Sequence, residues 1–113
     1  MRSEDEPRRF RGLALATVLG FTVPVATTRR ARLLGLAFLD REHVGEGLLI
    51  PRCRSVHTLG MRFPLDLVFL DLRGVVVELR REVVPGRLAR CSAAAAVLEL
   101  PATARSCSSR TAT

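Results

Sequence analysis

Lysine, asparagine, glutamine, tryptophan and tyrosine are all missing from this 113-residue chain, and isoleucine occurs once, at Ile50. With no Trp or Tyr and five Phe, it lacks the aromatic platform on which single-stranded nucleic acid stacks. No apolar run approaches the ~20 residues that a membrane-spanning helix needs. There is no Cys-x-x-Cys, so the close-set ligand pairs of a structural zinc site are missing too. No Gly-rich phosphate loop, Gly-x-Ser-x-Gly elbow or paired-carboxylate motif occurs. No metal and no cofactor is expected.

What is present is ordinary for one small globular domain. Apolar residues make up 48% and charged residues 26%, enough for a single modest core. All 18 basic residues are arginine, against 11 acids, for a net charge of +7. The depleted residues are largely those with AT-rich codons, so the arginine excess reflects a GC-rich coding sequence as much as a binding need. The charge is also spread out. Residues 1–11 carry four Arg and three acids, residues 12–100 twelve and eight, and residues 101–113 two Arg alone. Nucleic acid is therefore not the expected partner.

Arg8-Arg9-Phe10-Arg11 followed by the apolar Gly12–Ala26 imitates a secretory signal, with a faint twin-arginine character. Yet Val23-Pro24-Val25-Ala26-Thr27 also reads as an extended segment entering a helix, and cleavage would cost a small domain a strand. The favoured reading keeps the segment and puts the protein in the cytoplasm; export is the alternative. Residues 1–22 are then a flexible arm or the start of the first strand, and residues 23–102 a single compact domain. Residues 103–113 form a disordered polar tail.

Thr27 or Thr28 suits an N-cap, and Ala31, Leu34 and Phe38 recur at helical spacing. One amphipathic helix over about 28–39 is predicted, with Gly35 costing roughly 1 kcal/mol relative to Ala unless close packing needs it. Gly45 and Gly47 mark a loop before Leu48-Leu49-Ile50, and residues 52–61 read as a strand leading into a loop. Leu65–Asp71 and Val75–Leu79, separated by a short Gly-containing loop, form a hairpin. Leu67–Leu70 is apolar on both faces, which makes that strand central. Pro85-Gly86-Arg87 is a turn, and Ala94–Leu100 a last strand closed by Pro101, with a helix through the alanines as the alternative. The fold class is α+β, mostly β: a small barrel- or sandwich-like sheet with one short amphipathic helix after the first strand.

Several segments in order carry a family likeness: Arg32–Leu36, Gly47–Cys53, Val56–Asp71 and Ala96–Ala102. Over residues 23–102 the chain resembles the domain of unknown function 192 family, small bacterial and archaeal proteins without an established activity. The resemblance implies a compact β-rich α+β domain with a short helix after the first strand. Family members typically continue past the Pro-Ala pair with a Gly, a helical turn and a final strand. Thr103 stands where that Gly would be, so an unpaired sheet edge and self-association through it are expected.

The candidate pocket comprises Cys53, His57, Met61, Arg62 and Asp66. Asp66 interrupts an apolar run, so its carboxylate needs a partner, and Arg62 is nearest in sequence. Leu65 and Leu67 share one face of the strand, which turns Asp66 to the other with Val68 and Leu70. Glu78, Glu82 and Glu99 read as solvent-facing. The favoured function is a non-catalytic binding or accessory module for a small ligand or a protein. Two alternatives stand: a small enzyme using Cys53, His57 and Asp66, or an arginine-driven binder of nucleic acid or anionic surfaces.

Overall fold

A computed structural model describes residues 7–102, so the predicted tail over 103–113 lies outside the described residues. The chain is mostly β. A hairpin of β1 (Leu15–Val18) and β2 (Phe21–Pro24) leads into a short helix, α1 (Arg29–Leu34). Then come β3 (Leu48–Pro51), β4 (Ser55–His57), β5 (Leu65–Leu70), β6 (Val76–Val83), β7 (Leu88–Arg90) and β8 (Ala96–Pro101).

The strands make three sheets rather than a closed barrel: β1-β2, a four-stranded antiparallel sheet in the order β3-β8-β5-β6, and β4-β7. Alternation along the central strand explains the layering. Leu65, Leu67 and Phe69 face the larger core, with Leu48, Ile50 and Val97. Val68 and Leu70 face a smaller one, with Leu98 and with Val23 from the hairpin. β5 is thus covered on both sides, as the apolar run Leu67–Leu70 predicts. The edge strand β6 exposes Val76, Val77 and Leu79 but alternates them with Glu78, Arg80 and Arg81, charges that discourage edge-to-edge pairing.

The N-terminal segment is built into this arrangement. Phe10 and Leu13 are buried in the larger core. Arg9 Nη1 donates to the carbonyls of Gly35 and Ala37 at 3.0 and 2.8 Å, fastening the loop after α1. The extended run read at residues 23–27 is the end of β2, whose continuation pairs with β3 through a parallel bridge between Val25 and Leu49. The helix follows the second strand, not the first.

Thr28 caps α1, its Oγ1 accepting from the Ala31 N–H at 3.1 Å. The helix is shorter than the predicted 28–39 because Gly35 turns out of it at φ +53° and ψ −126°. Its period therefore stops before Phe38, which is exposed instead of core-facing, while Leu36 and Ala37 turn inward. Thr58, fully buried after β4, ties that strand's end to the Pro85-Gly86 turn. Its Oγ1 donates to the Val84 carbonyl at 2.8 Å and accepts from the Arg87 N–H at 2.7 Å.

Candidate functional site

The five residues expected in one pocket are dispersed. Met61 is part of the larger core. Arg62 is exposed and pairs with Asp40 at 2.8 Å, not with Asp66. Asp66 is half-buried at a β-bulge, where its Oδ1 accepts from the Glu82 N–H at 2.8 Å. With that backbone N–H as its hydrogen-bond donor from the facing strand, the carboxylate serves the sheet. Cys53, in the loop ahead of β4, and His57, at the end of that strand, do come together on the wall of a cavity of about 190 Å³.

The residue that gives this cavity its character is one the sequence reading placed on the surface. Glu99 lies in β8 opposite Leu48 of β3 on one side and Leu67 of β5 on the other, both fully buried. It shares the inner face with Val97, beneath α1, and is itself 3% exposed. One signal was available: a lone acid in a run otherwise apolar on both faces cannot face water once the strand is central. The carboxyl accepts a backbone hydrogen bond from Leu36, while Oε1 has no partner among the described residues. Burial pushes its pKa up to about 8, against the smaller opposing pull of the Leu36 bond, so at neutral pH it is mostly a carboxylic acid.

His57, which also lines the cavity, carries a second unpartnered atom. Its Nε2 donates to the Leu33 carbonyl at 3.1 Å, which in the neutral ring leaves Nδ1 as an acceptor. Nδ1 is buried and has no hydrogen-bond partner among the described residues. Cys53 completes the wall, its thiol donating to the Ser55 carbonyl at 3.1 Å. Burial raises the thiol's pKa, against opposing effects from the Ser55 backbone and Arg32, and Glu99 adds to the rise. A raised thiol is the reverse of an activated nucleophile. Among the described residues, no group of three or more His, Cys, Asp and Glu side chains is placed to hold a metal ion.

Beside the cavity runs an open trench of about 420 Å³, lined by Arg32, Arg52, Cys53, Arg54, Ser55, Arg90 and Ser92. Arg32, Cys53 and Ser55 line both spaces, making them neighbours along one surface. A wider depression of about 830 Å³ adjoins the trench, walled by Ala93, Ala94 and Ala95 and by the β5–β6 turn at Asp71, Leu72 and Arg73. It holds no buried unpartnered polar group among the described residues, so the smaller cavity carries the chemistry.

The profile of a family described as uncharacterized ACR, domain of unknown function 192, matches residues 12–107. The chain belongs to this family. The match starts ahead of β1, so the hairpin is inside the family's domain. A protein of unknown function from Novosphingobium aromaticivorans DSM 12444, solved by crystallography, is similar in fold. It is 19% identical, with a TM-score of 0.58 over 94% of this chain and 90% of that one. No curated protein matches the chain. Among the described residues, no helix is long and apolar enough to cross a membrane.

Proposed function

We propose that this domain of unknown function 192 protein is a non-catalytic binding module for a small polar molecule seated between α1 and strands β3, β4 and β8. One observation carries the reading: Glu99 Oε1 and His57 Nδ1, both buried and both without partners among the described residues, belong to side chains lining one cavity. An unsatisfied buried polar atom costs about 1–3 kcal/mol, and a ligand offering a hydroxyl to each recovers that cost on binding. Protonated Glu99 is a donor and neutral His57 an acceptor, a pair suited to an alcohol, which both donates and accepts.

Binding is favoured over nucleophilic catalysis by the same geometry. The Cys53 thiol is held in its protonated form, and Asp66 is committed to the Glu82 backbone. The free thiols of Cys53 and Cys91 support a reducing, cytoplasmic setting. Retention of residues 8–26 is supported by the burial of Phe10, Leu13 and Val23.

An NMR titration of the amide spectrum with glycerol, a minimal polyol, tests the proposal. Resonances of Leu36, His57 and Glu99 should shift with a saturable dependence in the parent chain, and the response should vanish in His57→Leu. A response spread evenly over surface amides, unchanged in His57→Leu, overturns it.

A further inference from the structure

Resting on that binding reading, we infer that the ligand is a phosphorylated polyol, its phosphate held by Arg32, Arg52, Arg54 and Arg90 and a hydroxyl reaching Glu99 and His57. Four arginines and, among the described residues, no acidic residue line the trench. Arg32 is fixed in place by its own donors: Nη1 donates to the Pro51 carbonyl and Nη2 to the Arg52 carbonyl at 3.0 Å. Neutral carbonyls orient that cation without cancelling its charge. Arg52, Arg54 and Arg90 have no ion-pair partner among the described residues.

Four like charges on the residues lining one trench repel one another, so the arrangement favours an anion that sits among them. A phosphate monoester matches it better than a carboxylate, because it carries more charge and three oxygens for planar guanidinium forks. The hydroxyls of Ser55 and Ser92 supply further donors on the same walls. Arg52 is held at φ +50°, a left-handed conformation that an L side chain rarely adopts. That strain sets the direction of the loop carrying Arg52, Cys53 and Arg54 between β3 and β4.

The two spaces together define the ligand. Because Arg32, Cys53 and Ser55 line both, a molecule anchored by phosphate in the trench has its remaining atoms beside the cavity mouth. The cavity admits only a short chain, and its polar groups ask for hydroxyls. A nucleic acid fits less well, since no aromatic platform accompanies the arginines.

Calorimetric titration of the full chain with glycerol 3-phosphate, inorganic phosphate and glycerol tests the inference, with the NMR response read in parallel. Glycerol 3-phosphate should bind about tenfold or more tighter than either fragment. The Arg54→Ala/Arg90→Ala variant, changed only at exposed positions, should lose most of the phosphate affinity and keep the glycerol response. Glu99→Gln should reduce the advantage of glycerol 3-phosphate over inorganic phosphate. If glycerol still shifts Leu36 and His57 but the phosphate adds nothing, this inference falls and the binding reading stands. If no probe binds, both fall. If a short single-stranded oligonucleotide binds tighter than glycerol 3-phosphate and is indifferent to Glu99→Gln, the arginines serve a nucleic acid and the inference is overturned.

Discussion

Gly35 and Glu99 are fitted to each other: a Cβ at residue 35 would stand 2.9 Å from Glu99 Oε1. The helix's last turn gives way there so that the chain can pass over the carboxyl and present the Leu36 N–H to it. This reverses the ordinary expectation for a glycine in a helical pattern, where Ala would stabilise by roughly 0.5–1 kcal/mol. At φ +53° and ψ −126°, with the carboxyl in the way, Gly35→Ala should instead destabilise by about 1–3 kcal/mol. Urea denaturation of the two proteins decides the sign; a stabilised variant would show that the turn readily reverts to helix.

Glu99 also imposes a pH dependence on folding. In the unfolded chain its carboxyl ionises near 4.5, and in the folded protein at about 8. Between those values the unfolded chain has released a proton that the folded one keeps, so raising the pH favours unfolding. This contribution to stability is complete below about pH 4.5, declines through the window, and is flat above about 8. Its slope should approach about 1.4 kcal/mol per pH unit. Glu99→Gln cannot release a proton and should lack the decline, gaining on the parent chain toward pH 8. A parent-minus-variant profile that is level across the window would mean that Glu99 is ionised in the fold.

The residues differ in how far they could be read from sequence, and the differences have physical causes. The β5–β6 hairpin and the central place of β5 were legible because period and turn chemistry act locally. Asp71 illustrates this, its Oδ1 accepting from the N–H groups of Arg73 and Val75 within the turn. The helix end was not legible, because what stops α1 at Gly35 is a carboxyl 64 positions further along the chain. Cys53 and His57 share a wall although Cys53 lies in the bent loop ahead of β4 and His57 at the end of that strand, a meeting that strand alternation does not predict. Glu99 was missed because alternation assigns faces but does not say which face is covered. That depends on α1 and on the loop that Arg9 fastens.

Cys53 offers a check on the non-catalytic reading. With its thiol raised by burial, alkylation by iodoacetamide at neutral pH should be slower than that of the same cysteine in the unfolded chain. Site-resolved mass spectrometry follows Cys53 apart from the other two cysteines. Glu99→Gln should leave the rate at neutral pH nearly unchanged, because Glu99 is already mostly uncharged there, and should speed alkylation only above about pH 8, where the parent carboxyl ionises. A Cys53 that reacts faster in the folded protein than in urea would restore the enzyme reading.

Asp66 gives the sheet a means of turning at its edge. Between the pairs Leu65–Val83 and Leu67–Arg80, β5 has one residue and β6 has two, Arg81 and Glu82. The extra residue puts Glu82 at φ +54° and takes its N–H out of the regular ladder. The Asp66 carboxylate accepts that N–H at 2.8 Å, so the bulge is satisfied from the facing strand. Asp66→Ala should therefore cost about 1–3 kcal/mol, the usual range for stranding a buried donor. Asp66→Asn should cost less, because its amide oxygen still accepts. Glu82→Val should also destabilise, since a β-branched side chain tolerates positive φ poorly. None of the three should alter the glycerol response at Leu36 and His57, because Asp66 does not line that cavity. Loss of the response in Asp66→Asn with an unchanged urea midpoint would return Asp66 to the binding site.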